Sequence, residues 1–274
     1  MSSWLSRLSE CTQSSQHLAS SLDTQRRAYL VLDTRRAPEA CAAWIGQSGW
    51  YDFMALFAGT PLSPLLEASP WLVELKIGSD AWHSLSTLCR QERLGWAFQP
   101  REDTPLNDLA DHLRTYFVLG DPHGGQSLVN LQDPAAWTAL LAAIGSTAYA
   151  QLVAPLGQVV TPTPQHTWLA WQPANHSANP APLTLVQETN DALQKVTGAW
   201  WLSQATDTPL PLLPPAWLTR LTRLTRAGIT RTEHLQRLLR LICQPEAAFS
   251  TLVEQALNST LLARQKVSAL EKLI

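Results

Sequence analysis

The sequence predicts an α/β (α+β) N-terminal lobe with a mixed β-sheet, followed by a small all-helical C-terminal lobe. Short apolar runs, such as Tyr29 to Asp33 and Trp71 to Leu75, have the length and the Val and Leu content of buried strands. Helical patterns alternate with these runs, which indicates helices layered against a sheet. No strand pattern occurs after Val186. We therefore expect the α/β lobe at residues 1–182 and the helical lobe at residues 183–274.

The stretch from Tyr51 to Leu75 is the expected centre of the first core. Its opening residues are too crowded with apolar side chains for an alternating strand and too few for a helix, so an irregular buried segment is predicted up to Phe57. Gly59 and Pro61 then mark a turn, and a short helix precedes the strand. Glu74 in that strand needs either a charged or hydrogen-bonding partner or a solvent-exposed position, because burial of an unpaired carboxylate costs free energy.

Capping residues and apolar periodicity place the other elements of the first lobe. A helix is predicted at the N-terminus, where one face is formed by Trp4, Leu8, Cys11, Ser15, Leu18 and Leu22. Further helices are expected from Pro38, after Ser79, after a cap at Thr104 or Asn107, and after Asp133. The turn at Gly120 to Gly125 predicts a hairpin loop, and a short strand is expected at Gly95 to Phe98.

The C-terminal hundred residues read as a series of helices. The first is expected at Leu183 to Trp201, and the connector Asp207 to Pro215 leads into a second helix. Thr230 and Glu233 have the spacing of a capping box that opens another. A helix from Pro245 through Phe249 and Leu257, and an amphipathic terminal stretch, complete the predicted lobe.

A long segment without charged residues separates Asp133 from Glu188. Part of it, Trp137 to Val160, is long enough to cross a bilayer. Glycine, proline and glutamine interrupt it, and alanine supplies much of its apolar content, so no membrane insertion is expected. We predict a buried helix, a turn and strands, followed by an exposed linker at Gln172 to Pro182.

The charge balance differs between the two halves of the chain. The net charge is −2, but residues 1–150 hold 15 acidic and 10 basic side chains, and residues 151–274 hold 7 and 10. This balance does not favour a general nucleic-acid binder. The four cysteines are far apart and form no C-x-x-C pair, which favours free thiols in a reducing compartment. No continuous apolar signal run occurs at the N-terminus, so a cytoplasmic location is expected.

Nothing in the sequence has the pattern of a known catalytic motif. G-x-S-x-G, phosphate-loop, dinucleotide-binding and H-E-x-x-H motifs are all missing from it. Asp108 and His112 are one helical turn apart, which is more typical of an exposed pair than of an acid–base couple. Asp121 and His123 lie in a glycine turn, where turn chemistry explains the aspartate as well as metal binding does. We predict no catalytic residue, metal site or cofactor.

Six arginines within residues 220–240 are opposed there only by Glu233. They are the candidate partner-binding residues Arg220, Arg223, Arg226, Arg231, Arg237 and Arg240. One interpretation is a solvated helix face whose arginine stems cover apolar surface. The other is a docking surface for an acidic or carbonyl-rich partner. Nucleic acid is a rival partner, which the acidic first lobe argues against.

Three tryptophans near the connector are further candidates for partner binding: Trp200, Trp201 and Trp217. Tryptophan is enriched at binding hot spots, so these side chains could shield a bound segment between the lobes. The alternative is that they only hold the two lobes together.

Several motifs, in their order and spacing, resemble one bacterial family. They are YLVLDTRRAPE from Tyr29, LFAGTPLSPLLEASPWLVEL from Leu56, GWAFQPREDTPLNDLADHLRTYFVL from Gly95, GDPHGGQSLVNLQDPAAW from Gly120, and RAGITRTEHLQRLLRLIC from Arg226, followed by Phe249. Together they resemble the domain of unknown function 4123 family, whose members are type VI secretion effector chaperones. Such proteins often have an arginine after the Asp-Pro pair, where this chain has Ala135.

The resemblance implies a non-enzymatic cytoplasmic chaperone or adaptor. Such a protein would bind the N-terminal region of a type VI effector and assist its loading onto the valine-glycine-repeat spike protein (VgrG). The alternative from another class is a hydrolase or transferase with an unrecognised active site.

Overall fold

The computed structural model describes residues 4–15, 22–175, 182–244 and 251–273. Its main feature is a seven-stranded sheet that carries helices on both faces and is followed by a helical C-terminal region. The predicted fold class is confirmed, but the sheet is built from antiparallel ladders where a mixed sheet was expected. The division between residues 182 and 183 stays a prediction, and the larger hydrophobic core contains side chains from both sides of it.

The strands of the main sheet lie in the order β1-β9-β8-β5-β2-β4-β3. In chain order they are β1 (Thr12–Ser15), β2 (Arg27–Leu32), β3 (Trp50–Ala55), β4 (Trp71–Lys76), β5 (Gly95–Gln99), β8 (Gln158–Pro162) and β9 (Trp168–Trp171). A separate hairpin is formed by β6 (Val118–Gly120) and β7 (Gln126–Leu128), as the glycine turn predicts.

The helices of the sheet-containing part are α1 (Trp4–Cys11), α2 (Pro38–Trp44), α3 (Asp80–Gln91), α4 (Leu106–Arg114), α5 (Pro134–Ala143) and α6 (Ser146–Val153). Those that follow are α7 (Gln187–Thr206), α8 (Pro215–Arg226), α9 (Thr232–Arg237), α10 (Leu239–Cys243), α11 (Thr251–Asn258) and α12 (Ala263–Glu271). Short 3₁₀ helices occur at Ser63–Ala68, Ala154–Leu156 and Leu210–Leu212.

All ladders between the described strands are antiparallel. Parallel pairing is limited to isolated bridges, one of which joins Gln99 and Gly157 beside the sheet. Strand β2 lies inside the sheet, where Leu30 is opposite Val73 on one side and Ala97 on the other. At Gly95 a Cβ atom would stand 2.0 Å from the carbonyl oxygen of Val31, so this strand start requires glycine.

The sheet separates two hydrophobic cores. The smaller one lies under α2 and α3 and contains Trp44, Trp82 and Leu85. The larger one covers the other face of the sheet and continues through the helical region as far as Leu270. Burial of one continuous apolar surface is the main force that holds sheet and helices together.

Helix α5 is buried on every side. All ten of its residues are buried, and it packs against α1, β8 and α7. Trp137 in this helix stacks on Trp96 of β5, with ring centroids 4.3 Å apart. A helix that is apolar all round belongs inside a protein or a membrane, and here it lies between the sheet and α7. This position explains why α5, the first part of the segment after Asp133, has no charged residue. Within the described ranges, none of the helices combines the length and apolar character needed to cross a bilayer.

The predicted burial of residues 51–57 is wrong in its first half. These residues begin with β3, a strand at the edge of the sheet whose register with β4 shifts between Trp50 and Asp52, and the side chains of Tyr51 and Phe53 are 49% and 38% exposed. Leu56 and Phe57 are buried as expected. An edge strand has a neighbour on one side only, so apolar side chains along it need not be covered.

Two helix starts differ from the prediction, and two agree. The side chain of Ser79 caps α3 by accepting a hydrogen bond from the amide of Trp82 at 3.2 Å. Oδ1 of Asp133 caps α5 by accepting one from the amide of Ala135 at 3.1 Å. By contrast, α4 follows Pro105 without a side-chain cap, and α9 follows Arg231 without the capping box predicted at Thr230 and Glu233.

The N-terminal helix is shorter than predicted. It ends at Cys11, and residues 12–15 pair with β9 instead of continuing the helix. Leu18, the residues 176–181 of the predicted linker, and the predicted start of the helix at Pro245 to Phe249 lie outside the described residues.

Glu74 has the partner that its position requires. Its carboxylate is buried and accepts a hydrogen bond from the guanidinium of Arg27, which also lies over the ring of Tyr51 at 4.5 Å. The strand can therefore keep a carboxylate among apolar residues without leaving it unpaired.

Two leucines of the same stretch give a matched test of this fold. Leu56→Ala should lower the free energy of unfolding by about 2 to 5 kcal/mol, because Leu56 is fully buried. Leu66→Ala should change it by less than about 0.5 kcal/mol, because Leu66 is 49% exposed. Urea unfolding followed by circular dichroism measures both. Equal losses in the two variants would contradict the assignment of inner and outer positions.

Candidate functional site

Arg220 is not on the surface of the helical region. Its side chain is 5% exposed, and Nη1 donates to the carbonyl oxygens of Ile242 (2.8 Å) and Gln244. It therefore ties α8 to the end of α10, where carbonyl groups lack helical partners. Of the six candidate arginines, this one is placed where it stabilises the protein's own structure.

Arg223 and Arg237 have carboxylate partners that the local sequence does not reveal. Arg223 donates to Glu254 of α11 at 2.8 Å, and Arg237 makes a bidentate contact with Glu271 of α12, with Nε to Oε1 at 2.6 Å. The hydrogen bond from Arg237 lowers the pKa of the Glu271 carboxyl. The expectation that Glu233 alone opposes the series is therefore wrong.

The remaining three arginines differ from Arg223 and Arg237 in their lack of an ion pair within the described residues. Arg226, Arg231 and Arg240 are all exposed. Arg226 is the last residue of α8, Arg231 precedes α9, and Arg240 lies on α10. Whether they contact a partner stays a prediction.

A cleft of about 640 Å³ lies along α7 and α8 and contains two of the candidate tryptophans. Trp200 is buried in its wall and Trp201 is partly exposed. Arg226 also lines it, together with Leu218 and a set of polar residues, mostly threonines and glutamines. We call this surface the tryptophan cleft. The structure thus brings Trp200, Trp201 and Arg226 together.

Trp217 does not line the tryptophan cleft. It is partly buried and packs against the larger core, which supports the interpretation that this side chain holds elements together. The two helices of the cleft approach closely at Gly198, where a Cβ atom would lie 2.9 Å from Cδ2 of Leu221. A small residue at this point sets the spacing of α7 and α8 at the floor of the cleft.

Arg93 forms the other wall of the tryptophan cleft, and no motif in the surrounding sequence indicates this role. Its guanidinium lies 4.9 Å from the ring centroid of Trp200, in cation–π geometry. The same group makes a bidentate contact with Asp133, with Nε to Oδ1 at 2.6 Å, and Arg36 approaches that carboxylate at 3.6 Å. The capping role of Asp133 was readable locally, but Arg93 is 40 residues away in the sequence.

A second surface follows β3 at the edge of the sheet. We call it the aromatic edge, and its exposed residues are Ile45, Tyr51, Phe53, Leu65 and Leu66. The ring of Phe53 stacks on Trp71 at 4.8 Å. Exposed apolar residues of this kind are typical of interaction sites. They lie on both faces of the edge, because Phe53 packs with Trp44 and Trp71 of the smaller core, whereas Tyr51 lies under Arg27 on the face of the larger core. The predicted core segment is therefore, in part, a candidate contact surface.

The main chain at the aromatic edge is already engaged by side chains. The amide of Phe53 donates to Oδ1 of Asp52 at 2.8 Å, and Arg114 donates to the carbonyl oxygens of Ala55 and Leu56. An incoming strand would have to displace these contacts. The edge is better suited to side-chain contact than to strand addition.

The two sequence patterns considered for chemistry have structural roles. Nε2 of His112 is 2.9 Å from the carbonyl oxygen of Leu152, and its ring packs against Tyr116. Asp121 accepts from the amides of His123 (2.8 Å) and Gly125 (3.0 Å), and these hydrogen bonds lower the pKa of its carboxyl. Across the described ranges, no group of three or more His, Cys, Asp or Glu side chains is placed to hold a metal ion.

Comparison with known proteins identifies one family. Residues 28–151 match the model of the family described as Domain of unknown function (DUF4123), which confirms the predicted resemblance over this part of the chain. The match contains the aromatic edge, Arg93 and Asp133, and it ends before α7 and α8. No curated protein and no solved structure matches the chain.

The contact between Arg93 and Asp133 predicts a marked stability effect. Asp133→Ala should lower the free energy of unfolding by about 3 to 5 kcal/mol, because it leaves a largely buried guanidinium unpaired and removes a helix cap. Asp111→Ala should cost less than about 1 kcal/mol, because Asp111 is 70% exposed and its partner Arg114 keeps its hydrogen bonds to the carbonyl oxygens of Ala55 and Leu56. Chemical denaturation compares the two.

Asp133→Asn separates the two effects at this position. Asparagine keeps an oxygen for the amide of Ala135 but lacks the charge that faces Arg93. We expect Asp133→Asn to lower the free energy of unfolding by an amount between the losses caused by Asp133→Ala and Asp111→Ala. If Asp133→Ala were as stable as the original protein, the contact would not support the cleft wall.

Proposed function

We propose that this chain, whose residues 28–151 belong to the DUF4123 family, is a non-enzymatic cytoplasmic chaperone or adaptor for a type VI secretion effector. It would bind the N-terminal region of the effector and assist its loading onto the VgrG spike. The observation that carries the proposal is the tryptophan cleft. One of its walls, Arg93, belongs to the family-matched domain, and the others belong to the helices that follow.

The size and lining of the cleft suit an extended peptide segment. A volume of about 640 Å³ accommodates a few side chains, and small-ligand and peptide sites are typically concave and lined by aromatic and apolar groups. An apolar side chain of the effector would pack on Trp201 and Leu218. The threonine and glutamine side chains of the cleft would accept hydrogen bonds from the main-chain amides of the effector segment and donate hydrogen bonds to its carbonyl oxygens.

An adaptor needs a second surface for its second partner, and the aromatic edge supplies one. It is an edge strand with projecting side chains, which suits contact with a folded protein. We therefore assign the tryptophan cleft to the effector segment and the aromatic edge to the spike. The two surfaces lie on different elements, so both partners could be bound at once.

Binding at these two surfaces needs no catalytic residue. The work of an adaptor is binding, and the cleft is lined by aromatic and leucine side chains, by amide and hydroxyl groups, by arginines and by Lys195. For the alternative of a hydrolase or transferase, the two patterns considered for chemistry, at His112 and Asp121, instead make contacts that hold the structure.

Binding to the products of adjacent genes tests the proposal. Trp201→Ala should weaken effector binding at least about ten-fold, because a truncated aromatic hot spot typically costs more than about 1.4 kcal/mol. Trp217→Ala is the matched control, since Trp217 is also partly buried but lies outside the cleft. Calorimetric titration gives the affinities, and circular dichroism confirms folding.

The aromatic edge has its own variant in the same experiment. Phe53→Ala should reduce spike binding and leave effector binding unchanged. If no product of an adjacent gene binds the original protein, the adaptor function is wrong. If the effector binds and Trp201→Ala binds it equally well, the assignment to the tryptophan cleft is wrong.

A further inference from the structure

A second cavity of about 390 Å³ lies where α8, α11 and α12 meet, next to the tryptophan cleft. We call it the cationic pocket. Its charged lining residues are Arg223, Arg226, Lys266 and Glu254, and Ala227, Leu257 and Asn258 complete it. Three cations thus face one carboxylate, and Arg226 lines both this pocket and the tryptophan cleft.

Lys266 is the buried group of the pocket. It is 8% exposed, and its Nζ donates to the carbonyl oxygens of Ala227 (3.2 Å) and Leu257 (2.7 Å). An ammonium group has three N–H donors, and no carboxylate in the described part of the chain pairs with this one. A buried charge is costly unless it is paired, so an anion at this place would be favourable.

Negative groups of the protein offset only part of this positive charge within the described residues. The C-terminal end of α8 carries about half a negative charge from the helix dipole, and it lies beside Arg223, Arg226 and the carbonyl of Ala227. Glu254 offsets one further cation through its contact with Arg223 at 2.8 Å. Counted over the described residues alone, the pocket therefore keeps an excess of positive charge.

We propose that the cationic pocket binds a carboxylate of an acidic segment of a protein partner. Charge complementarity supports this occupant, and Glu254 shows that the pocket can hold a carboxylate. The same glutamate repels an incoming phosphate dianion more strongly than a carboxylate monoanion. Because Arg226 is shared, a segment whose apolar residue lies on Trp201 would bring a neighbouring acidic residue to Lys266 and Arg226. The proposal concerns carboxylate recognition and does not depend on the partner being a secretion effector.

The test uses a capped tetraglutamate peptide as the probe and capped tetraglutamine as its neutral counterpart. The full-length protein is titrated with each at low ionic strength, and binding is followed by amide chemical shifts and by the rise in Tm. Tetraglutamate should bind and tetraglutamine should not. Binding should weaken as salt is added, because the contact is electrostatic.

Arg226→Gln should weaken tetraglutamate binding about two- to five-fold, because it removes an exposed charge of the pocket that has no competing ion pair among the described residues. Arg240→Gln removes the same charge from an exposed position outside the pocket and should have no effect. Lys266→Met should also weaken binding, and it is compared at a temperature well below its own Tm.

Three results would overturn the proposal. Tetraglutamine could bind as well as tetraglutamate, Arg226→Gln could bind tetraglutamate as well as the original protein does, or Arg240→Gln could lose as much affinity as Arg226→Gln. Inorganic phosphate is titrated in parallel. If it bound more tightly than tetraglutamate, a phosphate-bearing ligand would replace the acidic peptide.

Discussion

The complete burial of α5 is the constraint on which the rest of the structure depends. A helix without an outer face must be covered on all sides, and here β8 and Trp96 cover one side while α1 and α7 cover others. The sheet and the helical region consequently share a core. Loss of packing on one side of α5 would expose apolar surface that belongs to both.

The polar start of α5 connects this core to the tryptophan cleft. Asp133 caps the helix and holds Arg93, and Arg93 in turn lies over Trp200. Arg93 adopts a left-handed backbone conformation (φ 54°), which is uncommon for a residue with a side chain. The wall of the cleft is thus positioned by the same carboxylate that begins the buried helix, and binding there does not require the wall to be ordered first.

The features that could be predicted from the sequence are those with local causes. The caps at Ser79 and Asp133, the strand β2 and the glycine hairpin follow from neighbouring residues, and the structure confirms them. The position of β3 at the sheet edge depends on the order of all the strands, so the exposure of Phe53 was not predictable from its own surroundings.

The candidate site was predictable to a similar extent. Composition pointed to Trp200, Trp201 and Arg226, which do meet in one cleft. The ion pairs of Arg223 and Arg237 were missed because their partners lie 31 and 34 residues further along the chain. Arg93 had no local signal at all, since it gains its role only through contact with Asp133 and Trp200.

The contact between Arg223 and Glu254 places an internal competitor inside the cationic pocket. Any external acidic group must bind beside a carboxylate that is permanently present at high local concentration. Weakly acidic surfaces met at random would not overcome this competition. A partner that also places an apolar side chain on Trp201 gains additional binding energy. Competition from Glu254 would therefore favour such a partner over proteins that offer only an acidic group.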